Sequence, residues 1–461
     1  MGHRPDHVNG AVDATTTTFV TRGSDRDVAC FLAGVCRALC RLPTDRMELE
    51  NQVLLTEANR AGGRDVASAL AIWRYGAATY GLGGYEELGV GHHDPEELRR
   101  WASRWFTRGN AVLWLIGGEP PTSLRLDLPD GPRVPPPRPS STLPRTPAYF
   151  PSLIDGVAAS SVVRRSIAAS AYTELLRRRL YERLRVAEGI SYSPVASYER
   201  RDGQMAQITA FVDGLEAVHA RLVDGFVETV DRLAEEPPAA REVAEVADLL
   251  RAPMREPDAA AGWVVGAAHD ELVGAASPSF ADLLAEIDEL TREQLTAASV
   301  EARDDMLLMV PSGHRPPGGR YSPAPSTSDA VVDGRVFLAA KSSTPRGQRT
   351  IGPGNDSRAR LCVGPTGISL VEGLAFMTVR FDQCEAMQSW PDGARHLIGR
   401  DGLHLRVEPT MWREGHLVSD LLDRGVPQAV VLSRPPRPAG EIPRPAHVGS
   451  WDRLLARLKR T

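Results

Sequence analysis

The chain has 461 residues, a length that corresponds to about three domains of roughly 150 residues each. Its hydrophobic fraction of 42% and charged fraction of 25% are ordinary for a globular protein and argue against a disordered or fibrous chain. The formal net charge of −5 provides no extended basic surface, so we do not expect the protein to bind nucleic acid.

The cysteines and the N-terminal segment bear on the compartment. The five cysteines contain no C-x-x-C pair, which argues against a zinc ribbon, and such a sparse, odd set is typical of a reducing compartment. The segment Met1–Thr16 is polar and lacks the apolar stretch of a signal peptide, and no uncharged apolar run reaches the length of a membrane span. We therefore predict a cytoplasmic protein without a transmembrane segment.

Two proline-rich stretches divide the chain. Because proline lacks a backbone N–H donor and cannot join a sheet interior, we interpret residues 119–147 and 313–329 as linkers. They leave three segments, residues 1–118, 148–312 and 330–461, which we predict to be separate domains.

The first segment is predicted to open with a strand rich in β-branched residues and to continue as helices. Asp45 followed by Glu48, and Asp94 followed by a proline and two acids, are typical helix starts. The predicted elements are a strand at Ala14–Val20, helices at Asp27–Leu42, from Asp45 and at Asp94–Phe106, and a buried strand at Ala111–Ile116.

The second segment has a similar order of elements. A leucine stripe predicts a helix that Gly189 ends, Asp202-Gly203 predicts a hairpin, and Thr291 with Gln294 predicts a capped helix. The predicted elements are helices at Ala169–Val186, 215–235, 239–255 and from Thr291, and strands at Ser191–Tyr198, Gln204–Val212 and Met306–Val310. Both segments end in a helix, a short gap, an apolar strand and a linker, which indicates an internal duplication of an α+β unit.

The third segment is predicted to be mainly β. Short alternating strands followed by helices suggest a small barrel of the pleckstrin-homology type. The predicted strands are Arg360–Val363, Ile368–Val371, Phe376–Arg380 and His404–Glu408, and the predicted helices are Met411–Leu422 and Trp451–Lys459.

One motif carries most of the functional information. The stretch Arg185-Val-Ala-Glu-Gly-Ile-Ser-Tyr192 follows the leucine-rich helix and places an arginine and a tyrosine seven residues apart around a turn. It resembles the Arg/Tyr motif of the M16 (insulinase and mitochondrial-processing-peptidase type) zinc peptidases. Three further stretches resemble elements of that family and cover, with the motif, most of residues 8–312. They are Asn9-Gly-Ala-Val-Asp-Ala-Thr-Thr, Glu50-Asn-Gln-Val-Leu-Leu-Thr-Glu57 and Arg108-Gly-Asn-Ala-Val-Leu-Trp-Leu-Ile-Gly117.

The resemblance implies a fold class. We expect an α+β protein of two M16-type α/β sandwich domains, the first shortened at its N-terminus, followed by the small mainly-β C-terminal domain. The resemblance does not extend beyond about residue 330.

The zinc motif of that family has no match here. Zinc is bound there by the two histidines of H-x-x-E-H, expected on a helix upstream of the Asn9 strand, and by a distal glutamate. Glu57 matches the distal glutamate, but one residue cannot complete a site with three protein ligands. His3-Arg-Pro-Asp-His7 lies too close to Glu57 and contains a helix-breaking proline, and His92-His93 is expected in an exposed loop. We therefore predict no metal site and no cofactor in this chain.

The resemblance assigns a role to each residue of the Arg/Tyr pair. Arg185 would clamp the substrate backbone and Tyr192 would donate a hydrogen bond to the oxyanion, both acting in trans. Some bacterial members of the family are heterodimers that split H-x-x-E-H and Arg/Tyr between two subunits. The expected partners are an H-x-x-E-H-bearing M16 subunit, which would hold Zn²⁺, and an extended peptide, with leader-peptide removal as one such reaction. The structural alternative is a surface arginine at a helix end and a tyrosine packed on the hairpin.

Two other functions stay open on the sequence alone. The protein would be a catalytic M16 peptidase if its start had been placed too far downstream, because the sequence begins just before a strand. It would be a scaffold or binding protein if the peptidase fold served only as architecture and the C-terminal domain bound the ligand.

Overall fold

The computed structural model describes residues 7–60, 66–91, 93–256, 259–340 and 359–444. The chain forms two compact units. The first unit comprises residues 1–70, 87–139 and 143–324, and the second comprises residues 71–86, 140–142 and 325–461. The domain boundaries that the sequence suggested at residues 118 and 148 both lie inside the first unit and stay a prediction.

The N-terminal elements begin with a hairpin and continue as helices. They are β1 His7–Val12, β2 Thr17–Arg22, α1 Asp25–Cys40, α2 Met47–Arg60, α3 Val66–Tyr75, α4 Glu86–Gly89 and α5 Pro95–Trp105. The predicted start of α5 is confirmed, because Asp94 accepts a hydrogen bond from the Glu97 N–H (2.7 Å) and the Glu97 carboxylate accepts one from the Asp94 N–H (3.2 Å).

The strand predicted at Ala111–Ile116 is wrong. These residues form no β-ladder with any described part of the chain, and Leu113 (41%) and Ile116 (52%) are exposed rather than buried. A strand exists only through hydrogen bonds to a neighbouring strand, and β1 and β2 form a sheet of two strands by themselves. Apolar alternation alone therefore does not make this segment a strand, because no described strand pairs with it.

The following elements build a complete α/β layer pair. They are β3 Ala148–Ser152, β4 Gly156–Arg164, α6 Ile167–Leu180, β5 Val195–Arg200, β6 Met205–Asp213, α7 His219–Glu235, α8 Ala240–Arg251, α9 Ala259–Val273, α10 Phe280–Asp288, α11 Arg292–Asp304, β7 Leu307–Pro311 and β8 Ser322–Pro323. The strands form one six-stranded sheet in the order β5-β6-β4-β7-β3-β8.

Helices α6, α7 and α11 pack on this sheet and enclose the main core of the first unit. The predicted leucine stripe is confirmed, since Leu176, Leu180 and Leu184 are all essentially inaccessible to solvent. Every residue of β7 is buried as well, as a central strand requires. Because fully burying such a side chain contributes roughly 1.5–3 kcal/mol, the layer of α6 against the sheet is a main source of stability.

The second unit is mainly β, as predicted. Its elements are β9 Arg335–Leu338, β10 Arg360–Gly364, β11 Gly367–Glu372, β12 Ala375–Arg380, β13 Cys384–Ser389, β14 Arg395–Gly399, β15 His404–Val407, α12 Gly415–Gly425 and β16 Val431–Ser433. They form two four-stranded sheets, β12-β11-β10-β9 and β15-β14-β13-β16, around one core. The comparison with a pleckstrin-homology barrel stays a prediction.

The helix expected from Met411 starts later, at Gly415. Pro409–Met411 instead form a 3₁₀ turn, and Glu414 adopts a left-handed conformation (φ 56°) immediately before α12. The helix predicted at Trp451–Lys459 lies outside the described residues, as do His3, Asp6 and His92 of the candidate histidine motifs.

Candidate functional site

Arg185 lies on a π-helical turn that continues α6. Residues Tyr181–Ala187 wind as a π-helix, and the Glu188 N–H donates a hydrogen bond to the Arg183 carbonyl five residues earlier (3.0 Å). Single π-helical turns inside or at the end of helices occur frequently at functional sites because they re-aim side chains. The sequence predicted one regular helix here, from Ala169 to Val186, and its end at Gly189 is confirmed by the positive φ of that glycine (63°).

Two contacts fix the π-turn against the rest of the first unit. The Leu184 side chain is buried, and its carbonyl accepts hydrogen bonds from the Ile190 (2.8 Å) and Ser191 (3.2 Å) N–H groups. Helix α7 approaches so closely at Gly225 that a β-carbon there would lie 2.7 Å from Leu184 Cδ2. A side chain at this position would therefore force the fully buried Leu184 to shift.

Asp213, at the end of β6, holds the segment that carries Tyr192. Its Oδ1 accepts hydrogen bonds from Ser191 Oγ (2.8 Å), the Tyr192 N–H (2.9 Å) and the Ser193 N–H (3.1 Å). Burial alone would raise the pKa of Asp213, but the hydrogen bonds from Ser193, Ser191 and Tyr192 outweigh it and the pKa lies below its ordinary value. The carboxylate is therefore an ionised anchor for the Tyr192 backbone.

The two residues of the motif are in contact. The guanidinium carbon of Arg185 lies 5.1 Å from the centre of the Tyr192 ring, a cation–π arrangement. Both side chains are exposed, Tyr192 by 73%, so Tyr192 is not packed on the hairpin as the structural alternative required. Within the described residues, the Arg185 guanidinium has no carboxylate partner. Both hydrogen-bonding groups are thus accessible to a ligand.

The other arginines near Arg185 form ion pairs with glutamates. Arg183 pairs with Glu188 (3.3 Å) and with Glu228 on α7, and Arg221 also contacts Glu188 (3.1 Å). The run Arg177-Arg178-Arg179 on α6 pairs with Glu174, Glu245 and Glu242 at 2.5–2.6 Å. This run is therefore an ion-paired helix face. Arg185 differs from these arginines because it has no acidic partner among the described residues.

The residues that the structure describes do not form a zinc site. No three His, Cys, Asp or Glu side chains among the described residues are grouped so that they could hold a metal ion. Glu57 is exposed on α2, and the His93 ring lies 3.8 Å from Glu97 on the adjacent helix α5. No catalytic step through a metal of this chain follows from these residues.

The other family-like stretches have structural roles in the described residues. Asn9 lies in β1, where its side chain accepts a hydrogen bond from the Gly10 N–H (3.0 Å). Asn110 fastens the proline-rich stretch to the end of α5, because its amide donates to the Trp105 carbonyl (2.9 Å) and accepts from the Val134 N–H (3.0 Å).

Sequence reasoning missed Asp213 and the π-turn. The only signal for Asp213 was its position directly before Gly214, at the end of the second strand of the hairpin. Its hydrogen-bond donors reach it only when β5 pairs with β6. The π-turn had no signal, since Leu180 and Leu184 also fit a regular helical stripe.

The fold resembles that of known structures. The M16 peptidase inactive domain from Pseudomonas fluorescens superposes with a TM-score of 0.52 at 14% identity, covering 68% of this chain and 82% of that one. An M16-like peptidase from Alicyclobacillus acidocaldarius gives 0.46 at 14% identity, covering 67% and 81%. The first half of the periplasmic protease PqqL from Escherichia coli gives 0.43 at 12% identity, covering 67% and 75%.

No protein-family model matches the sequence, and no curated protein matches it. None of the helices in the part of the chain that the structure describes combines the length and the apolarity of a membrane span. The fold resemblance rests on the Pseudomonas fluorescens domain, with its TM-score of 0.52. The protein therefore has a mixed α+β fold shared with an M16 peptidase inactive domain, followed by a mainly-β unit.

Proposed function

We propose that this chain is a non-catalytic subunit that clamps extended peptides through Arg185 and Tyr192 for a heterodimeric zinc peptidase whose partner carries H-x-x-E-H. The observation that carries the proposal is the exposed Arg185–Tyr192 contact on a turn held by Leu184 and Asp213. A pair built only for stability would be expected to bury the ring or to pair the cation, and this pair does neither.

The role of Arg185 follows from its donors. A guanidinium presents several N–H groups in a fixed plane and stays charged at all physiological pH values, so it can donate to two carbonyl oxygens of an extended backbone. The contact with Tyr192 limits its rotamers before substrate arrives, which reduces the entropy lost on binding.

The role of Tyr192 follows from its hydroxyl. A phenol can donate to an oxygen on which negative charge develops, and the neighbouring guanidinium favours that charge. Because Asp213 holds the Tyr192 N–H, the ring is attached to a fixed backbone rather than to a free loop. The peptide itself would bind with little side-chain selectivity, as in strand addition to a sheet edge, which suits the removal of leader peptides. We place this reaction in the cytoplasm.

The test is reconstitution from purified proteins. The chain and an H-x-x-E-H-bearing subunit are assayed separately and mixed, with a fluorogenic peptide as substrate. We expect cleavage only by the mixture. Tyr192→Phe should lower kcat by about 10²–10³-fold. Arg185→Ala should raise KM by about 10–100-fold, since hydrogen bonds to charged groups contribute roughly 1.5–3 kcal/mol.

Matched controls separate these effects from general damage. Tyr181→Phe alters an exposed tyrosine of the same π-turn, and Arg241→Ala alters an exposed arginine of α8; neither should change the kinetics. Chelator-sensitive cleavage by the chain alone would show instead a catalytic peptidase. A mixture whose activity is unaffected by both Arg185→Ala and Tyr192→Phe would show a scaffold.

A further inference from the structure

A cavity of about 440 Å³ lies along helix α9 in the first unit. We call it the α9 groove. It is bounded by one face of α9, by residues 253–256 before that helix, by the start of α10 and by Arg200 at the end of β5. Pockets that bind small molecules have volumes of roughly 300–1,000 Å³, so the α9 groove has room for a small ligand.

Small residues form the floor of the α9 groove. Gly262, Gly266 and Ala267 line it, and nothing lies within 4 Å of the position that a β-carbon on Gly262 would take. The stretch 259–268 of α9 contains no charged residue. The space above the floor is therefore a consequence of the absent side chains on α9 itself.

The walls of the groove are apolar. They include four partly buried side chains, those of Met254, Trp263, Phe280 and Leu283. The only polar group of the Trp263 ring, its Nε1–H, donates to the Pro278 carbonyl (3.1 Å), so the rest of the ring presents hydrocarbon to the groove. Walls of this kind bury apolar ligand surface but offer no hydrogen bond to it. Between its two ends, the groove is therefore suited to a hydrocarbon chain.

Arg200 places an uncompensated positive charge at one end of the groove. Both oxygens of the buried Asp270 carboxylate pair with Arg165, at 2.6 and 2.7 Å, whereas Arg200 Nη1 lies 3.5 Å from each of them. Two positive charges against one negative charge leave a net charge of +1. The neighbouring Glu271 does not offset it, because its carboxylate pairs with Arg133 (2.8 Å).

Arg200 also has free donors for an anion. Its Nη1 donates to the Gly266 carbonyl (3.3 Å), and a β-carbon on Gly266 would lie 2.9 Å from this nitrogen. The glycine thus lets the guanidinium lie against α9. The Nε and Nη2 groups make no hydrogen bond with any residue in the described ranges. These two N–H groups form the fork that binds both oxygens of a carboxylate.

The opposite end of the groove carries an acid. Glu256 lines the groove at the start of α9, where its carbonyl accepts a hydrogen bond from the Ala259 N–H (3.0 Å). Gly266, on which Arg200 rests, lies about 10 Å further along the helix axis. An anionic head group is attracted to the Arg200 end and repelled from the Glu256 end, which sets the direction of an elongated ligand.

A hydrocarbon chain fits the groove better than a peptide does. Each buried peptide unit brings an N–H and a C=O that need hydrogen-bond partners, and the apolar walls provide none. A fatty acid has a single polar group. We propose that the α9 groove binds an unbranched aliphatic carboxylate, with its carboxylate on the Nε–Nη2 edge of Arg200 and its chain over Gly262 towards Glu256. The site involves neither Arg185 nor Tyr192 and goes beyond the peptidase proposal.

The first test is calorimetric titration of the full chain with hexanoate, octanoate and decanoate. We expect one molecule to bind per chain, with an affinity that rises about fourfold for each added methylene group, because each one buries a further increment of apolar surface. Absence of saturable binding by all three carboxylates would overturn the proposal. An affinity that does not rise with chain length would overturn it as well.

The second test concerns the head group. Octanoate should bind about 10–100-fold more tightly than octanol, because only the carboxylate can accept the charged hydrogen bonds of Arg200. In Arg200→Ala the two ligands should bind equally. Arg255→Ala removes an exposed arginine that does not line the groove, so it should keep the difference. A preference for octanoate that persists in Arg200→Ala would contradict the assignment of the head group.

The third test fills the groove. Gly262→Leu should abolish octanoate binding and leave the fold intact, because the new side chain enters open space. Val265→Leu adds bulk at an exposed position of α9 outside the groove and should bind octanoate normally. Thermal unfolding followed by circular dichroism checks that both variants are folded. A folded Gly262→Leu protein that binds octanoate as the wild type does would place the ligand elsewhere.

A variant at Gly266 tests the same site without loss of helix stability. Alanine is a better helix former than glycine, but its β-carbon would meet Arg200 Nη1. Gly266→Ala should therefore weaken the binding of octanoate and not that of octanol. Equal effects on the two ligands would show that Arg200 does not hold the carboxylate.

A peptide ligand and the clamp variant complete the test. Trileucine with a free C-terminus should bind more weakly than octanoate, and tighter binding of this peptide would overturn the assignment to a hydrocarbon chain. The Arg185→Ala variant should bind octanoate as the wild type does. Failure of the α9 groove and failure of the peptide clamp are therefore distinguishable.

Discussion

Replacement of Asp213 by alanine should release the Tyr192 segment while leaving the rest of the first unit folded. One carboxylate oxygen accepts three hydrogen bonds, from Ser191 Oγ and from the N–H groups of Tyr192 and Ser193. All three donors lie on the connection between the π-turn and β5. Alanine removes the acceptor for all of them at once without disturbing the buried face of β6, where Val212 is fully buried.

The expected cost can be worked out from these donors. The two N–H groups lie in an exposed segment and can turn to water, so each loses about 0.5 kcal/mol net. Ser191 is only 3% exposed, and a buried hydroxyl without a partner costs about 1–2 kcal/mol. The sum is about 2–3 kcal/mol. At roughly 2.1 cal/mol/K per residue, a unit of about 300 residues unfolds with an entropy of about 0.6 kcal/mol/K, so Tm should fall by about 3–5 °C.

The pH dependence has a definite sign. Because the folded state holds the pKa of Asp213 below its ordinary value of 3.8, the ionised form is the stabilising one. Its contribution is complete above that value and is lost as the pH falls through the lower folded pKa. The wild-type protein should therefore lose local protection at residues 191–193 below about pH 3.8. Asp213→Asn should lack this dependence and keep part of the hydrogen bonding.

The measurement is hydrogen–deuterium exchange across residues 189–195 together with calorimetry, using Asp224→Ala as the control. Asp224 is exposed on α7 and makes no hydrogen bond or ion pair with any residue in the described ranges. The control should leave both readouts unchanged. Unchanged exchange at residues 191–193 in Asp213→Ala would refute the view that this carboxylate holds the Tyr192 backbone.

Three further predictions concern backbone strain, a buried ion pair and a buried histidine. Gly189→Ala should destabilise the protein by about 1 kcal/mol, because the φ of 63° disfavours a β-carbon even though there is space for one. Gly34→Ala, inside α1, should stabilise the protein by about 0.5–1 kcal/mol. Both changes are measured by urea denaturation. Asp270→Ala should cost about 3–5 kcal/mol in the same assay, because Asp270 is buried and its loss leaves Arg165, 2.6 Å away, without its counter-charge. Burial lowers the pKa of His396 to about 3, so the unfolded state gains a proton first as the pH falls below 6.5. The free energy of unfolding of the second unit should therefore fall by about 1 kcal/mol between pH 6.5 and 5.5. His396→Gln should remove this pH dependence, measured by hydrogen–deuterium exchange in β13–β15.

Local signals in the sequence predicted local structure well. The capping boxes at Asp94 and Thr291, the turn at Asp202-Gly203 and the left-handed Gly189 each depend on a few neighbouring residues, and each appears as predicted. The Arg185–Tyr192 pair belongs to the same class, because a helix end and a short turn suffice to bring residues seven apart into contact.

Two of the failures depended on long-range partners, and a third on a local backbone conformation. Residues 111–116 have the pattern of β7 but lack the neighbours that β7 finds in β4 and β3. Asp213 could not be assigned because its donors come from a segment that reaches it only when β5 pairs with β6. The late start of α12 reflects the left-handed Glu414, a conformation that no residue type in that stretch announces.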